Sequence, residues 1–295
     1  MLKKLLQPCL ETKLVDFVFL DSGTGGIPYM LKLKEKYEGA SCVYVGDTAN
    51  FPYGEKSHEE IVKCVLEAGS KIQKKFNPKI IVIACNTMSV NALDILRDAY
   101  ADIQFVGTVP AIKIAGDISK KRCIGLLATK STCNHPYNQD LKNHFAADCK
   151  MFLRGDPELI SFIEHESFTS TEEDRMKACE PAVKYFRENG CDTIILGCTH
   201  FLNIKNEIQK VAAPDIKVVD SVDGVVNRAL SLYGALRVVP VREGGEQRSV
   251  SQGETSPSNI YPKSILFVTG FSDKKDEKEY DVICKRYDLD FGGVL

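Results

Sequence analysis

Short, unbroken apolar runs recur along this chain, and they constrain its fold more than any other feature. They occupy residues 15–20, 41–47, 80–84, 104–107, 122–128, 193–197, 217–221 and 264–270. Each has the length of a strand and is rich in β-branched or aromatic residues, without the alternation of a sheet that has one wet face. Between them lie stretches with helical spacing: 28–37, 59–76, 92–100, 136–145, 159–163, 172–188, 204–211 and 276–287. In the second of these, Ile61, Val62, Val65, Leu66, Ala68 and Ile72 fall on one helix face. Strands alternating with helices predict an α/β fold with mostly parallel sheets covered on both faces. At 295 residues the chain is long enough for two such domains.

Two of the runs end alike. Ile80-Ile81-Val82-Ile83-Ala84 is followed by Cys85-Asn86-Thr87, and Ile194-Ile195-Leu196-Gly197 by Cys198-Thr199-His200. A thiol at the carboxyl end of a buried strand stands where open α/β sheets bind ligands. One such cysteine reads as core packing. Its repetition suggests two related halves that each turn a thiol toward one ligand. A thiol titrates within reach of neutral pH, so it can hold or accept a proton as its surroundings dictate. His200, one of five histidines, follows its cysteine by two residues and can tune or exchange that proton.

Composition excludes several classes. The 38 basic and 40 acidic residues leave a net charge of −2, so no basic field argues for nucleic acid. No apolar run approaches the roughly 18 to 20 residues that span a bilayer. Residues 1–13 read as a short polar extension rather than a secretory signal. The eleven cysteines include no C-x-x-C pair, so zinc-ribbon and thioredoxin spacings are absent and no metal site is expected. A reducing cytoplasm is the expected compartment, with most thiols packed as small apolar residues. Residues 240–259 are polar, rich in Gly, Ser and Glu, and aperiodic, and read as a mobile surface insertion.

Three turns complete the candidates. Asp21-Ser22-Gly23-Thr24-Gly25-Gly26 links a strand to a helix and could cradle an anion on its amides. It lacks the P-loop and dinucleotide spacings, so a carboxylate suits it as well as a phosphate, and a plain tight turn suits it equally. Asp21 is also placed to cap the following helix. Asp47 and the Pro52-Tyr53-Gly54 turn read, on spacing alone, as structural turns more than as ligand contacts.

Taken in order, Asp21–Gly26, Gly46-Asp47-Thr48-Ala49-Asn50-Phe51-Pro52-Tyr53-Gly54, Ala84-Cys85-Asn86-Thr87 and Leu196-Gly197-Cys198-Thr199-His200 resemble the glutamate racemases of the cofactor-independent aspartate/glutamate racemase superfamily. The likeness covers roughly residues 15 to 225, and His200 points to the glutamate branch. The resemblance implies two pseudo-symmetric α/β domains, 1–109 with 223–295 and 110–222, with the active site between them. It implies no pyridoxal phosphate, metal or nucleotide. Cys85, assisted by Asp21, would act on one enantiomer of glutamate, and Cys198, assisted by His200, on the other. Ser22, Pro52, Tyr53, Gly54, Asn86, Thr87 and Thr199 match positions that hold the substrate. Glu164 is the best match for a functional glutamate of the second domain, with Glu166 as its competitor. Met88 departs from the small residue usual after Cys-Asn-Thr and is expected to bear on that wall of the pocket. A homodimer and a cytoplasmic role supplying D-glutamate for peptidoglycan follow from the same resemblance.

Rival readings are a racemase of the superfamily acting on aspartate or another small acid, a Cys–His thiol hydrolase centred on Cys198 and His200, and a small-ligand binding protein whose thiols only line a pocket.

Overall fold

Strands form most readily where β-branched and aromatic residues are buried on both faces, as in Phe17–Asp21, Cys42–Gly46, Ile80–Ile83 and Thr193–Leu196 of the ten strands among the described residues. The computed structural model describes residues 15–237, 263–271 and 274–295. The terminal extension and the insertion inferred at 240–259 lie outside the described residues. The larger sheet comprises β1 (Phe17–Asp21), β2 (Cys42–Gly46), β3 (Ile80–Ile83), β4 (Gln104–Gly107), β9 (Ile265–Val268) and β10 (Asp290–Val294), in the order β10-β9-β2-β1-β3-β4. The smaller comprises β5 (Cys123–Ala128), β6 (Lys150–Gly155), β7 (Thr193–Leu196) and β8 (Lys217–Val219), in the order β6-β5-β7-β8. Every pairing in both sheets is parallel, in keeping with the α/β expectation.

Helices cover each sheet on both faces. On the larger sheet, α1 (Ile27–Lys36), α10 (Val222–Arg237) and α11 (Lys274–Tyr287) share one apolar cluster, and α2 (His58–Phe76) and α3 (Asn86–Ala99) share the other. On the smaller, α7 (Pro157–His165), α8 (Glu172–Glu188) and α9 (Lys205–Ala212) pack one face. Helix α4 (Ile112–Ile118) packs the other, with α6 (Pro136–Phe145) beside it and the short α5 (Lys130–Asn134) after β5. Each fully buried Phe, Leu or Ile contributes roughly 1.5–3 kcal/mol.

Helix α2 shows how the local sequence sets these elements. Ile61, Val65, Ala68, Ile72 and Phe76 form its buried stripe. Ser57 and Glu60 close a reciprocal capping box, with Ser57 N–H donating to Glu60 Oε2 at 2.8 Å. Its far end stops at Asn77, in the left-handed region with φ 41°.

Helix α3 starts at Asn86, six residues before the sequence-based start, with Cys85 as its N-cap. The polar Asn86-Thr87 pair reads as loop, but it forms the first helical turn, and both residues line the cavity. Strands β6 and β10 were not expected, and neither was α10. Residues after β8 return to the larger sheet, where β9 pairs with β2 through Val43↔Ile265 and its successors.

Candidate active site

Parallel strands bring their carboxyl ends to one edge, so each sheet collects its polar strand-end residues there. Ser22 follows β1, Cys85 follows β3, Thr129 follows β5 and Cys198 follows β7. The two edges face one cavity of about 420 Å³. The large-sheet half contributes Ser22, Pro52, Tyr53, Gly54, Cys85, Asn86 and Thr87 to its wall; the small-sheet half contributes Glu164, Cys198 and His200. Two residues singled out from the sequence, Asp21 and Thr199, do not line it. They lie behind the wall, joined by a 3.0 Å hydrogen bond from Thr199 Oγ1 to Asp21 Oδ2.

The glycine turn has a guest, and it is internal. Thr24 N–H lies 3.1 Å from Glu164 Oε1, and Thr24 Oγ1 donates to Glu164 Oε2 at 2.7 Å. Of the amides that the turn could offer to a ligand anion, that of Thr24 is thus taken by the other half's own carboxylate, and those of Ser22 and Gly26 by Asp21. This close approach demands glycine: a Cβ at Gly23 would sit 2.6 Å from Glu164 Oε1, and one at Gly25 2.5 Å from the His200 backbone nitrogen. Gly23→Ala is expected to push Glu164 aside and cost about 1–3 kcal/mol of stability, read by urea unfolding. Wild-type stability would show that the carboxylate yields without loss. Asp21 does not cap α1, whose N-cap is Gly26 with no side-chain cap bond; it braces the turn instead, accepting from Ser22 N–H and Gly26 N–H, each at 2.7 Å, and from Tyr44 Oη at 3.1 Å. Burial raises its pKa against the lowering influence of His200 and the Ser22 and Thr199 hydrogen bonds.

The two thiols sit in different surroundings. Cys85 lies at the N-terminus of α3, 3.9 Å from Ser22 Oγ, which is 3.4 Å from Asp21 Oδ1. The contact between Cys85 and Asp21 therefore runs through Ser22. Burial pushes the Cys85 thiol well above its usual pKa, and Asp21 and Cys198 add to this against the Met88 amide and the Ser22 hydroxyl. Cys198 Sγ lies 3.5 Å from His200 Nδ1, and His200 Nε2 lies 3.0 Å from Glu164 Oε2. Burial opposes charge on His200, but Cys198 and Glu164 outweigh it and raise its pKa well above 6.5. Burial likewise opposes charge on Glu164, and the His200 and Thr24 contacts outweigh it and lower its pKa. Cys198, His200 and Glu164 thus form a chain that ends in the glycine turn.

Asn86 carries the clearest sign of a ligand. It is 3% exposed and lines the cavity, yet neither its amide oxygen nor its amide nitrogen has a hydrogen-bond partner. Such a group is costly unless something fills the space before it. Tyr53 donates its hydroxyl to Asp47, and Asp47 also accepts from Thr269 Oγ1 at 2.6 Å, so Asp47 positions the ring rather than facing the cavity. Thr87 Oγ1 meets Thr129 Oγ1 at 3.0 Å, across the boundary between the halves.

Of the two glutamates matched in the sequence, Glu164 is in the site, whereas Glu166 is exposed at the end of α7. Met88 does not reach the cavity; it is fully buried in the core beneath α3. Sequence reasoning missed Phe51, Thr129, Lys130, Ile160, His165 and Tyr280 on the wall. Thr129 and Lys130 carried a signal, because they follow β5 as Cys198 follows β7. Tyr280 carried none, since it arrives from the distant α11. Among the described residues, no cluster of three or more His, Cys, Asp or Glu is arranged to hold a metal ion.

Residues 29–229 match the family model of the Asp/Glu/hydantoin racemases, and the chain belongs to that family. Its relatives define the branch. A glutamate racemase of Treponema pallidum (strain Nichols) is 43% identical over 216 residues, 73% of this chain and 80% of that protein. One of Proteus mirabilis (strain HI4320) is 37% identical over 211 residues, 70% of this chain and 72% of that protein. The crystal structure of Escherichia coli glutamate racemase with L-glutamate and the activator UDP-MurNAc-ala superposes with a TM-score of 0.77 at 27% identity, covering 95% of this chain and 98% of that one. This is a chain of the glutamate racemase branch, an isomerase.

Proposed function

We propose that this protein interconverts L- and D-glutamate by two-base proton transfer at the α-carbon. The observation that carries the reading is that two strand-end thiols, Cys85 and Cys198, line one cavity from opposite halves. One thiolate takes the α-proton, leaving a carbanion, and the opposite thiol returns a proton to the other face. In the reverse direction the two exchange roles. The α-hydrogen is a very weak acid, so the carbanion needs a preorganised polar site that excludes water. A desolvated thiolate such as that of Cys85 is a stronger base than one in water. His200 assists Cys198, and Asp21 acts on Cys85 through Ser22. Asn86 holds a carboxylate or the ammonium with its unpartnered amide, and Ser22, Thr87 and the Pro52-Tyr53-Gly54 turn complete the binding wall with Glu164. Thr199 acts from behind that wall as a positioning residue, through its bond to Asp21.

In this reading, residues 1–109 with 223–295 form one domain and 110–222 the other, with the cavity between them. The protein works as a cytoplasmic homodimer supplying D-glutamate for peptidoglycan; no helix of the described residues is long and apolar enough to cross a membrane. Turnover of D-glutamate against D-aspartate tests the substrate. Glutamate is expected to be preferred by at least about 100-fold in kcat/KM. Faster turnover of aspartate would overturn the assignment.

A further inference from the structure

A second, shallower depression of about 550 Å³ opens beside the cavity, and Gly54, Glu55 and Lys130 stand on the walls of both. Both halves build it: Lys56, His58 and Asn91 from one, Lys130 and His135 from the other. Among the described residues, neither Lys56 nor Lys130 has a carboxylate within ion-pair distance, and Glu55 is the sole acidic side chain on the rim.

The two histidines are oriented. Asn91 Nδ2 donates to Thr87 O at 2.8 Å, which turns Asn91 Oδ1 toward His58 Nδ1, 3.1 Å away. His58 therefore carries its proton on Nδ1 when neutral. His135 accepts from Tyr137 N–H at Nδ1 over 3.3 Å, which leaves Nε2–H free to donate. Burial lowers the pKa of His135, and the charge of His58 lowers it further, so the two imidazoles sense each other across the boundary between the halves. An anion between them would relieve that repulsion, and two unpaired lysines already favour one.

We propose that this depression is an anion subsite for small dicarboxylates, bridging the two halves at the mouth of the cavity, where glutamate is held on its way in. The proposal rests on the glutamate reading above. Lys56 and Lys130 supply the attraction, and His135 gains charge as the anion binds. The pull acts on the free substrate, so it shows in kcat/KM.

The test compares wild-type protein with Lys56→Gln/Lys130→Gln. Wild-type kcat/KM for D-glutamate is expected to fall about fivefold between about 20 and about 300 mM KCl, as screening removes the attraction. The double variant is expected to start about fivefold lower and to respond little to salt. A wild-type rate indifferent to salt, or a double variant that keeps the wild-type slope, overturns the proposal. Binding is read separately from turnover with succinate as the probe. By NMR titration, succinate should raise the pKa of His135 by about half a unit in the wild type and leave it unmoved in the double variant. An unmoved His135 in the wild type overturns the subsite even if glutamate is racemised. A moved one in a protein that racemises no glutamate supports the subsite and overturns the functional reading instead.

Discussion

Cys85→Ser and Cys198→Ser are each expected to lose at least about 10³-fold in racemisation of glutamate, because an alcohol is a far poorer proton carrier than a thiol. The more telling result lies in heavy water. If each thiol serves one face of the α-carbon, the variants should be impaired in α-proton exchange from opposite enantiomers. The surroundings give the two losses different origins. Cys85 is buried at a helix N-terminus behind the Ser22 hydroxyl. Cys198 sits 3.5 Å from an imidazole that is itself tied to a carboxylate. A thiol hydrolase would need only Cys198. Full racemisation in either variant would refute the two-base mechanism, and chiral chromatography of the product decides it.

Glu164→Ala is expected to be the most damaging change to stability in the site, costing about 3–5 kcal/mol, because it leaves a buried imidazolium without its carboxylate and with Cys198 alone beside it. Glu164 and His200 are about 5% and 2% exposed, so little water can replace the carboxylate. The pH dependence has a definite sign. The folded pKa of Glu164 lies below 4.5, so its stabilisation is complete above 4.5 and lost as pH falls through the folded value. That of His200 lies well above 6.5, so its stabilisation is complete below 6.5 and lost as pH rises through the folded value. Both contributions are whole between 4.5 and 6.5. Urea unfolding of wild type and Glu164→Gln should therefore differ most within that window, and the gap should narrow as pH rises beyond it. A gap that widens with pH would mean that His200 is buried neutral.

Much of this was legible beforehand. Runs such as 80–84 and 193–197 are buried on both faces, so hydrophobicity alone marks them as strands, and their ends mark the cysteines. Strands β6 and β10 escaped because both lie at sheet edges, where Lys150, Arg154 and the Gly292-Gly293 pair sit as comfortably as apolar residues. The start of α3 escaped because Asn86 and Thr87 favour loops, and here the helix N-terminus is where the cavity opens. The occupant of the glycine turn could not be read at all. It depends on Glu164, 140 residues away in sequence and held by a different sheet. Contacts of that range depend on how two halves meet, and no local pattern reports it.

The pairing of β9 with β2 has a consequence for synthesis. Cys42-Val43-Tyr44-Val45-Gly46 is wholly buried in the finished sheet, yet only one of its two partners, β1, precedes it, and the other comes from residues 265–268. While the intervening chain is being made, β2 keeps a bare, apolar edge, the kind that pairs readily with a neighbouring chain. The smaller sheet has no such wait, since all its strands lie between residues 123 and 219. The last strands thus act as an internal chaperone for the second one, and a prematurely ended chain would be a sticky one.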